Sequence, residues 1–183
     1  MKTIITIALI GISAVCTAQG KYFTRNGTIE FFSTTPVEDI KAENFNATAV
    51  LDAASGAMEF SLLMKSFNFK KALMQEHFNE NYVESDKFPK ATFKGKVTNL
   101  DEVDFTKDGS YPATVTGDMT IHGVTKPIET TGTIEVKGGK VITESKFMVS
   151  PEDYDIEIPG VVRDKIAKEI EVTVSTELEP LKR

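Results

Sequence analysis

The sequence predicts an all-β protein, a single antiparallel barrel of about eight strands with one short amphipathic helix. Apolar and polar residues alternate with a period of two through most of the chain, which is typical of strands with one buried face. Glycine-containing turn signals separate the alternating segments. A helical repeat is confined to residues 70–85. About eight strands is the number at which a closed sheet encloses either packed side chains or one small ligand.

The first predicted strands lie in the N-terminal third of the chain. Alternation begins at Ile29 and Phe31. Residues 52–56 form a turn, and after it Glu59 and Ser61 alternate with apolar side chains. The apolar residues that share the inward face of the second and third strands are Phe45, Ala47, Ala49, Leu51, Met58, Phe60, Leu62 and Met64.

The helix is predicted from a different spacing. Met74, Phe78 and Tyr82 recur every fourth residue among Glu and Asn, which places them in one stripe of a helix. A single amphipathic helix in an antiparallel barrel is expected to cap one end. It would either seal the core or form a lid over the entrance to a ligand site.

The remaining strands follow the helix. Phe93 and Val97 belong to one strand, residues 115–136 form a hairpin that turns at His122 and Gly123, and Gly138 starts another tight turn. The inward residues of the hairpin and of the last two strands are Val115, Gly117, Met119, Ile121, Ile128, Thr130, Gly132, Ile134, Val136, Val141, Ser145, Phe147, Val149, Ile170, Val172, Val174, Thr176 and Leu178. The spacing of Val162, Ile166 and Ile170 predicts one further helical turn before the last strand.

The N-terminal residues 1–18 have the pattern of a secretory signal peptide. Lys2 provides a positive start, residues 4–12 are apolar, and Cys16 begins a small-residue cleavage pattern. We therefore expect a mature barrel domain of residues 19–183 in the periplasm or outside the cell. A buried N-terminal strand is one alternative. Lipid attachment at Cys16 is another, although Val15 stands where lipoprotein processing favours a small residue.

Composition and motifs exclude several classes of function. The formal net charge of −6 argues against binding to nucleic acid or to an anionic membrane surface. Residues 19–183 contain no apolar run long enough to span a membrane. His77 and His122 lie far apart, and no cluster with metal-ligand or nucleophile spacing occurs. We predict that the protein is not an enzyme and has no metal site, catalytic residues or cofactor.

Bulky apolar residues with small residues between them form the predicted lining of the barrel. Ala49, Ala113, Gly117 and Gly132 would leave space between the larger side chains. This pattern fits either a barrel filled by its own side chains or one that contains a ligand cavity. The candidate lining residues are Phe31, Phe60, Leu62, Met64, Phe93, Val115, Met119, Ile134 and Phe147, with Met74, Phe78 and Tyr82 at a possible entrance.

Residues 117–128, with the sequence GDMTIHGVTKPI, closely resemble the signature hairpin of the YceI-like family. Residues 77–93 and 153–172 resemble two further landmarks of that family, and the similar stretches run from residue 29 to residue 178. The resemblance implies a lipocalin-like barrel in the periplasm that sequesters or carries an isoprenoid lipid of polyprenyl or quinone type. The alternative is a structural or stress-response module without a ligand. A homodimer is possible under either interpretation.

Overall fold

Eight long antiparallel strands close into a barrel in the computed structural model, which describes residues 20–181 of the chain. Neighbours around the ring follow the order β1-β9-β8-β7-β6-β5-β3-β2, and pairing of β1 with β2 closes it. A two-residue strand, β4 (Asn68–Phe69), adds to β2. The long strands are β1 (Lys21–Thr34), β2 (Asp39–Asp52), β3 (Ala57–Leu63), β5 (Lys90–Val97), β6 (Gly109–Ile121), β7 (Val124–Lys137), β8 (Lys140–Val149) and β9 (Ile170–Pro180). The predicted eight-stranded all-β fold is confirmed, whereas the predicted signal peptide lies outside the described residues.

Within residues 20–181, helical structure is limited to short segments between strands. The predicted helix is present as α1 (Ala72–His77), which continues into a π-helical turn at Phe78–Tyr82. The predicted helical turn before the last strand is a single 3-10 turn at Gly160–Val162. Its extension to Ile170 is wrong, because that residue begins β9. The other 3-10 turns are Met64–Ser66, Leu100–Glu102 and Pro151–Tyr154.

The two ends of the barrel are closed by different kinds of connection. At one end, which we call the packed end, β2 and β7 each reverse into the next strand through a tight turn, and residues 98–108 fold over the opening. At the other, the cavity end, β1 and β6 reverse tightly, but two long segments, residues 64–89 and 150–169, join the remaining strands. The connections therefore leave the packed end with less chain above it than the cavity end.

The packed end has a dense apolar core. Leu51, Val141 and Leu178 have no exposed surface, and Val103 and Phe105 from the loop insert beside them. Full burial of a leucine or valine stabilises the fold by about 1.5–3 kcal/mol. This end of the barrel is filled by its own side chains. Its buried residues are Ala49, Leu51, Ala53, Met58, Val97, Val103, Phe105, Ala113, Ile134, Val136, Val141 and Leu178.

A β-bulge in β2 corrects one sequence prediction. Phe45 was expected on the inward face, but 48% of its surface is exposed, and Asn44 is fully buried instead. The pairing with β1 passes from Ile29 opposite Asn44 to Gly27 opposite Ala47, so β2 contains one extra residue there. The Asn44 amide oxygen accepts the backbone N–H of Asn46 at 2.9 Å, and its amide nitrogen donates to the Leu63 carbonyl at 3.0 Å. Asn44 thus stabilises the bulge and connects β2 to the end of β3.

The backbone ladder between β7 and β8 covers only part of these strands. Pairing runs from Lys137 opposite Lys140 to Gly132 opposite Ser145 and ends there. The Ser145 hydroxyl donates to the Thr131 carbonyl at 2.9 Å, at the point where the two strands part. Towards the cavity end, β7 and β8 are therefore not joined by ladder hydrogen bonds. We call this part of the wall the seam.

Candidate ligand-binding cavity

A cavity of about 560 Å³ occupies the barrel between the middle and the cavity end. This volume lies within the range of roughly 300–1,000 Å³ that is usual for small-molecule sites. Aromatic, methionine and aliphatic side chains form most of its wall. The structure places all the predicted lining residues on this cavity, namely Phe31, Phe60, Leu62, Met64, Phe93, Val115, Met119, Ile134 and Phe147. Met74, Phe78 and Tyr82 line it as well.

A cluster of aromatic rings connects the barrel wall to the segment above it. The ring of Phe31 on β1 lies 5.2 Å from that of Phe67, 5.6 Å from that of Phe69 and 5.4 Å from that of Phe78, between centroids. Such pairs add about 0.5–1.5 kcal/mol beyond the burial of their area. Sequence reasoning missed Phe67 and Phe69, although their alternation around Asn68 is a strand signal. Residues 64–82 are thus attached to the barrel by ring contacts.

The ring of Phe93 lines the inner part of the cavity together with Met58, Val115 and Ile134, and we call this part the floor. It packs against the ring of Phe60 at 6.2 Å between centroids. It also covers Gly95 and Gly117, which pair directly across β5 and β6. A Cβ atom on Gly117 would lie 2.7 Å from the Phe93 Cζ atom, so the glycines make room for this ring. The space predicted beside Gly117 is therefore occupied by Phe93 instead of adding to the cavity.

His122 joins three segments at the cavity end. It adopts a left-handed conformation with φ of 51° in the β6–β7 turn. Its Nδ1 atom lies 3.1 Å from the Tyr154 carbonyl oxygen, and its Nε2 atom lies 2.9 Å from the Glu84 carboxylate. Both partners accept hydrogen bonds, so the arrangement is complete when both ring nitrogens carry hydrogen. His122 thus connects the β6–β7 hairpin to residues 83–89 and 150–158.

Hydrogen bonding, nearby charge and burial shift the pKa of three ionisable groups at the cavity end. The hydrogen bond from His122 lowers the pKa of Glu84, and the nearby Lys87 lowers it further. Burial raises the pKa of Tyr82 and of Tyr154, which both line the cavity. Their hydroxyl groups are therefore neutral at physiological pH, and the cavity wall gains no negative charge from them.

The cavity opens between the β1–β2 turn, the start of α1 and residues 158–168. Lys71 donates to the Glu38 carboxylate at 2.7 Å, which connects α1 to the turn. The buried Ser33 hydroxyl accepts the backbone N–H of Ala167 at 2.9 Å, which fixes the third segment to the end of β1. We call this opening the mouth. Its lining includes polar and charged groups, Glu38, Lys71, His77 and Lys165, beside the apolar Leu73, Met74, Val162 and Ile166.

Neither a metal-ligand cluster nor a membrane-spanning helix is found in the part of the chain that the structure describes. Among residues 20–181, no three His, Cys, Asp or Glu side chains are grouped as ligands of a metal ion. His77 is exposed beside the mouth, and His122 is engaged with Glu84 and Tyr154. None of the helices within residues 20–181 has the length and apolar composition needed to cross a membrane.

Comparisons with known proteins agree with this architecture. Residues 17–178 match the family model of the YceI-like domain. A polyisoprenoid binding domain from Saccharophagus degradans, implicated in plant cell wall breakdown, is similar in structure, with a TM-score of 0.76 and 13% identity over 89% of this chain and 99% of that chain. A comparison with curated protein sequences finds no significant match.

Two further solved structures are similar. BcnA from Burkholderia cenocepacia has a TM-score of 0.68 and 13% identity, with coverage of 83% of this chain and 95% of that chain. A YCEI protein from Campylobacter jejuni has a TM-score of 0.59 and 19% identity, with coverage of 78% and 85%. At these identities the likeness concerns the fold.

Proposed function

The chain belongs to the YceI-like family, and we propose that its barrel binds the apolar chain of an isoprenoid or quinone-type lipid. The observation that carries this proposal is a cavity of about 560 Å³ with mostly apolar walls and a mouth of mixed polar and apolar groups. The name of the similar Saccharophagus degradans domain, a polyisoprenoid binding domain, supports the same class of ligand.

The energetics of such binding follow from the lining. Each buried methylene group contributes about 0.8 kcal/mol, so a few isoprene units are held firmly without any polar contact in the interior. Met64, Met74 and Met119 line the cavity, and methionine side chains adapt to irregular apolar shapes. The lining thus fits a branched and flexible chain better than a rigid polar ligand.

The orientation of the lipid follows from the distribution of polar groups. Phe60 and Phe93 contribute apolar rings to the floor, whereas Lys71 and Lys165 lie at the mouth. We therefore place the apolar tail towards the floor and the polar head at the mouth. The protein would sequester or carry the lipid in the periplasm or outside the cell, the location predicted from residues 1–18.

The alternative is a structural or stress-response barrel that holds no ligand. The filled packed end supports it, because that half of the interior already contains its own side chains. The two proposals differ in what the cavity contains after purification and in how the protein responds when the cavity is filled.

Filling the cavity tests the proposed function directly. Met119 lies on β6 and lines the cavity, and the neighbouring Asp118 is exposed on the outer face of the same strand. We expect Met119→Trp to lower binding of a fluorescent prenyl analogue by at least about tenfold, because the larger side chain removes space that the tail needs. Asp118→Trp adds the same side chain outside the barrel and should leave binding unchanged.

Organic extraction and mass spectrometry of the two variants and the wild type, purified without detergent, provide the second measurement. The wild type and Asp118→Trp should carry isoprenoid lipid, and Met119→Trp should carry little. If the wild type contains no lipid and also fails to bind added prenyl and quinone analogues, the lipid proposal is wrong and the ligand-free barrel is favoured. Thermal melting of all three proteins checks that they are folded.

A further inference from the structure

Large aliphatic side chains are exposed on each of the three segments that surround the mouth. Val37 in the β1–β2 turn is 58% exposed, Leu73 in α1 is 61% exposed, and Val161 in the third segment is 86% exposed. Leu73 lines the mouth itself, and Val37 and Val161 lie next to Glu38 and Val162, which line it. We call Val37, Leu73 and Val161 the rim.

The contacts at the mouth hold the rim residues around one opening. The ion pair of Glu38 with Lys71 joins the turn that carries Val37 to the helix that carries Leu73. The hydrogen bond from Ala167 to Ser33 fixes the segment that carries Val161. The rim residues therefore belong to three segments that are connected at the entrance of the apolar cavity.

The charges between the rim residues indicate what covers them. Lys70, Lys165 and Lys168 are exposed on the rim segments and take part in no ion pair within residues 20–181. Asp39 and Asp164 are also exposed there, so the rim segments carry both signs of charge. Aliphatic tips among mixed charges are complementary to a zwitterionic lipid headgroup layer, where lysines meet phosphate groups. A strongly anionic surface would instead repel a chain with a net charge of −6.

We propose that the rim docks the mouth of the barrel onto a zwitterionic lipid bilayer, with Val37, Leu73 and Val161 inserted between the headgroups. This inference rests on the proposed lipid-binding function. Docking lets the apolar tail of a lipid pass from the bilayer into the cavity without crossing water, and so avoids the free energy of exposing each methylene group. The contact is shallow, because only three aliphatic side chains reach the bilayer.

Vesicle flotation with phosphatidylcholine vesicles tests the proposal. Val37→Asp combined with Val161→Asp, at two rim residues outside the cavity lining, should weaken vesicle binding by at least about tenfold, because it replaces inserted aliphatic groups with charges. The matched control is Phe45→Asp combined with Met148→Asp, since these residues are 48% and 52% exposed on the barrel wall. The control should bind vesicles like the wild type to within about twofold, the range expected for surface changes outside a contact.

A second measurement separates this inference from the proposed function. Titration with a short prenyl alcohol in the absence of vesicles should give the same affinity for the wild type and both double variants. If the wild type does not bind the alcohol, the lipid cavity is wrong. If it binds the alcohol but does not float with vesicles, or if rim and wall variants float equally, the docking proposal is overturned. Dissociation of a dimer by the rim variant alone would show that a second copy covers the rim, and would also overturn it.

Discussion

The packed end and the cavity end are built from the same strands, yet only one of them is filled. At the packed end, Leu51 and Leu178 are fully buried, and the loop of residues 98–108 inserts Val103 and Phe105 among them. At the cavity end, residues 64–89 and 150–169 contact the ends of the strands and each other. A space of about 560 Å³ remains inside this part of the barrel. The comparison shows that a short loop with inserted apolar side chains accompanies the filled end and two longer segments accompany the cavity, whereas the alternation of the strands is similar at both ends.

Truncating one leucine at each end tests this difference most strongly. Leu51→Ala should lower the free energy of unfolding by about 3–5 kcal/mol, because it opens a new void in a filled core. Leu62→Ala should cost only about 1–2.5 kcal/mol, because Leu62 already faces the cavity and loses fewer contacts. Urea denaturation of both variants without ligand measures the difference. Equal costs would mean that the two ends are packed alike.

A methyl group added at Gly117, between the packed end and the cavity end, should lower the free energy of unfolding by an intermediate amount. Gly117→Ala would place a Cβ atom 2.5 Å from the Lys94 carbonyl oxygen and 2.7 Å from the Phe93 ring. We expect a loss of about 1–3 kcal/mol, because such overpacking forces neighbours to move. The displaced Phe93 ring should also shrink the cavity, so binding of a prenyl analogue should weaken although no mouth residue has changed. Asp118→Ala, on the exposed face, should cost less than about 0.5 kcal/mol, and a similar cost for Gly117→Ala would contradict this account of the floor.

Removing the contact between Glu84 and His122 should change the stability least of the three tests. The size of this change should depend on pH. The pKa of Glu84 is lower in the folded protein than in the unfolded chain, so its contribution is present above the unfolded value of about 4.3 and is lost as the pH falls through the folded value. Wild type should therefore melt at a higher temperature than Glu84→Gln at pH 7, and the difference should disappear in the acidic range. Glu59→Gln, exposed on β3, serves as the control. A difference that grows on acidification would reverse the assigned sign.

The strands could be predicted from the sequence because their signal is local. Alternation and glycine turns depend on adjacent residues, and they led to the barrel and to lining residues such as Phe31 and Met119. The prediction for Phe45 was wrong because the bulge at Asn44 depends on the register with β1, which adjacent residues do not reveal. The predicted helix is shortened because Phe78–Tyr82 forms a π-helical turn, with the Val83 N–H bonded to the Phe78 carbonyl at 2.9 Å.

The contacts that hold the site together could not be predicted in this way. The partners of His122 lie 32 and 38 positions away along the chain, on segments whose positions depend on closure of the barrel. The position of Val37, Leu73 and Val161 on segments that meet at the mouth has the same origin, because the three residues lie far apart along the chain. The formal net charge likewise gives no information on how charges are distributed around the mouth.

The seam between β7 and β8 is the part of the barrel wall where these two strands are not joined by backbone hydrogen bonds. In a sheet closed by an unbroken ladder, the circumference is fixed by the number of strands and their stagger. Here the ladder ends at Gly132 and Ser145, and beyond that point Ile128 and Phe147 line the cavity. Opening this part of the wall would break no ladder hydrogen bond between β7 and β8, although it would stretch the contact of His122 with the Tyr154 carbonyl. We therefore expect the barrel to yield at the seam before it yields between strands that are paired along their length.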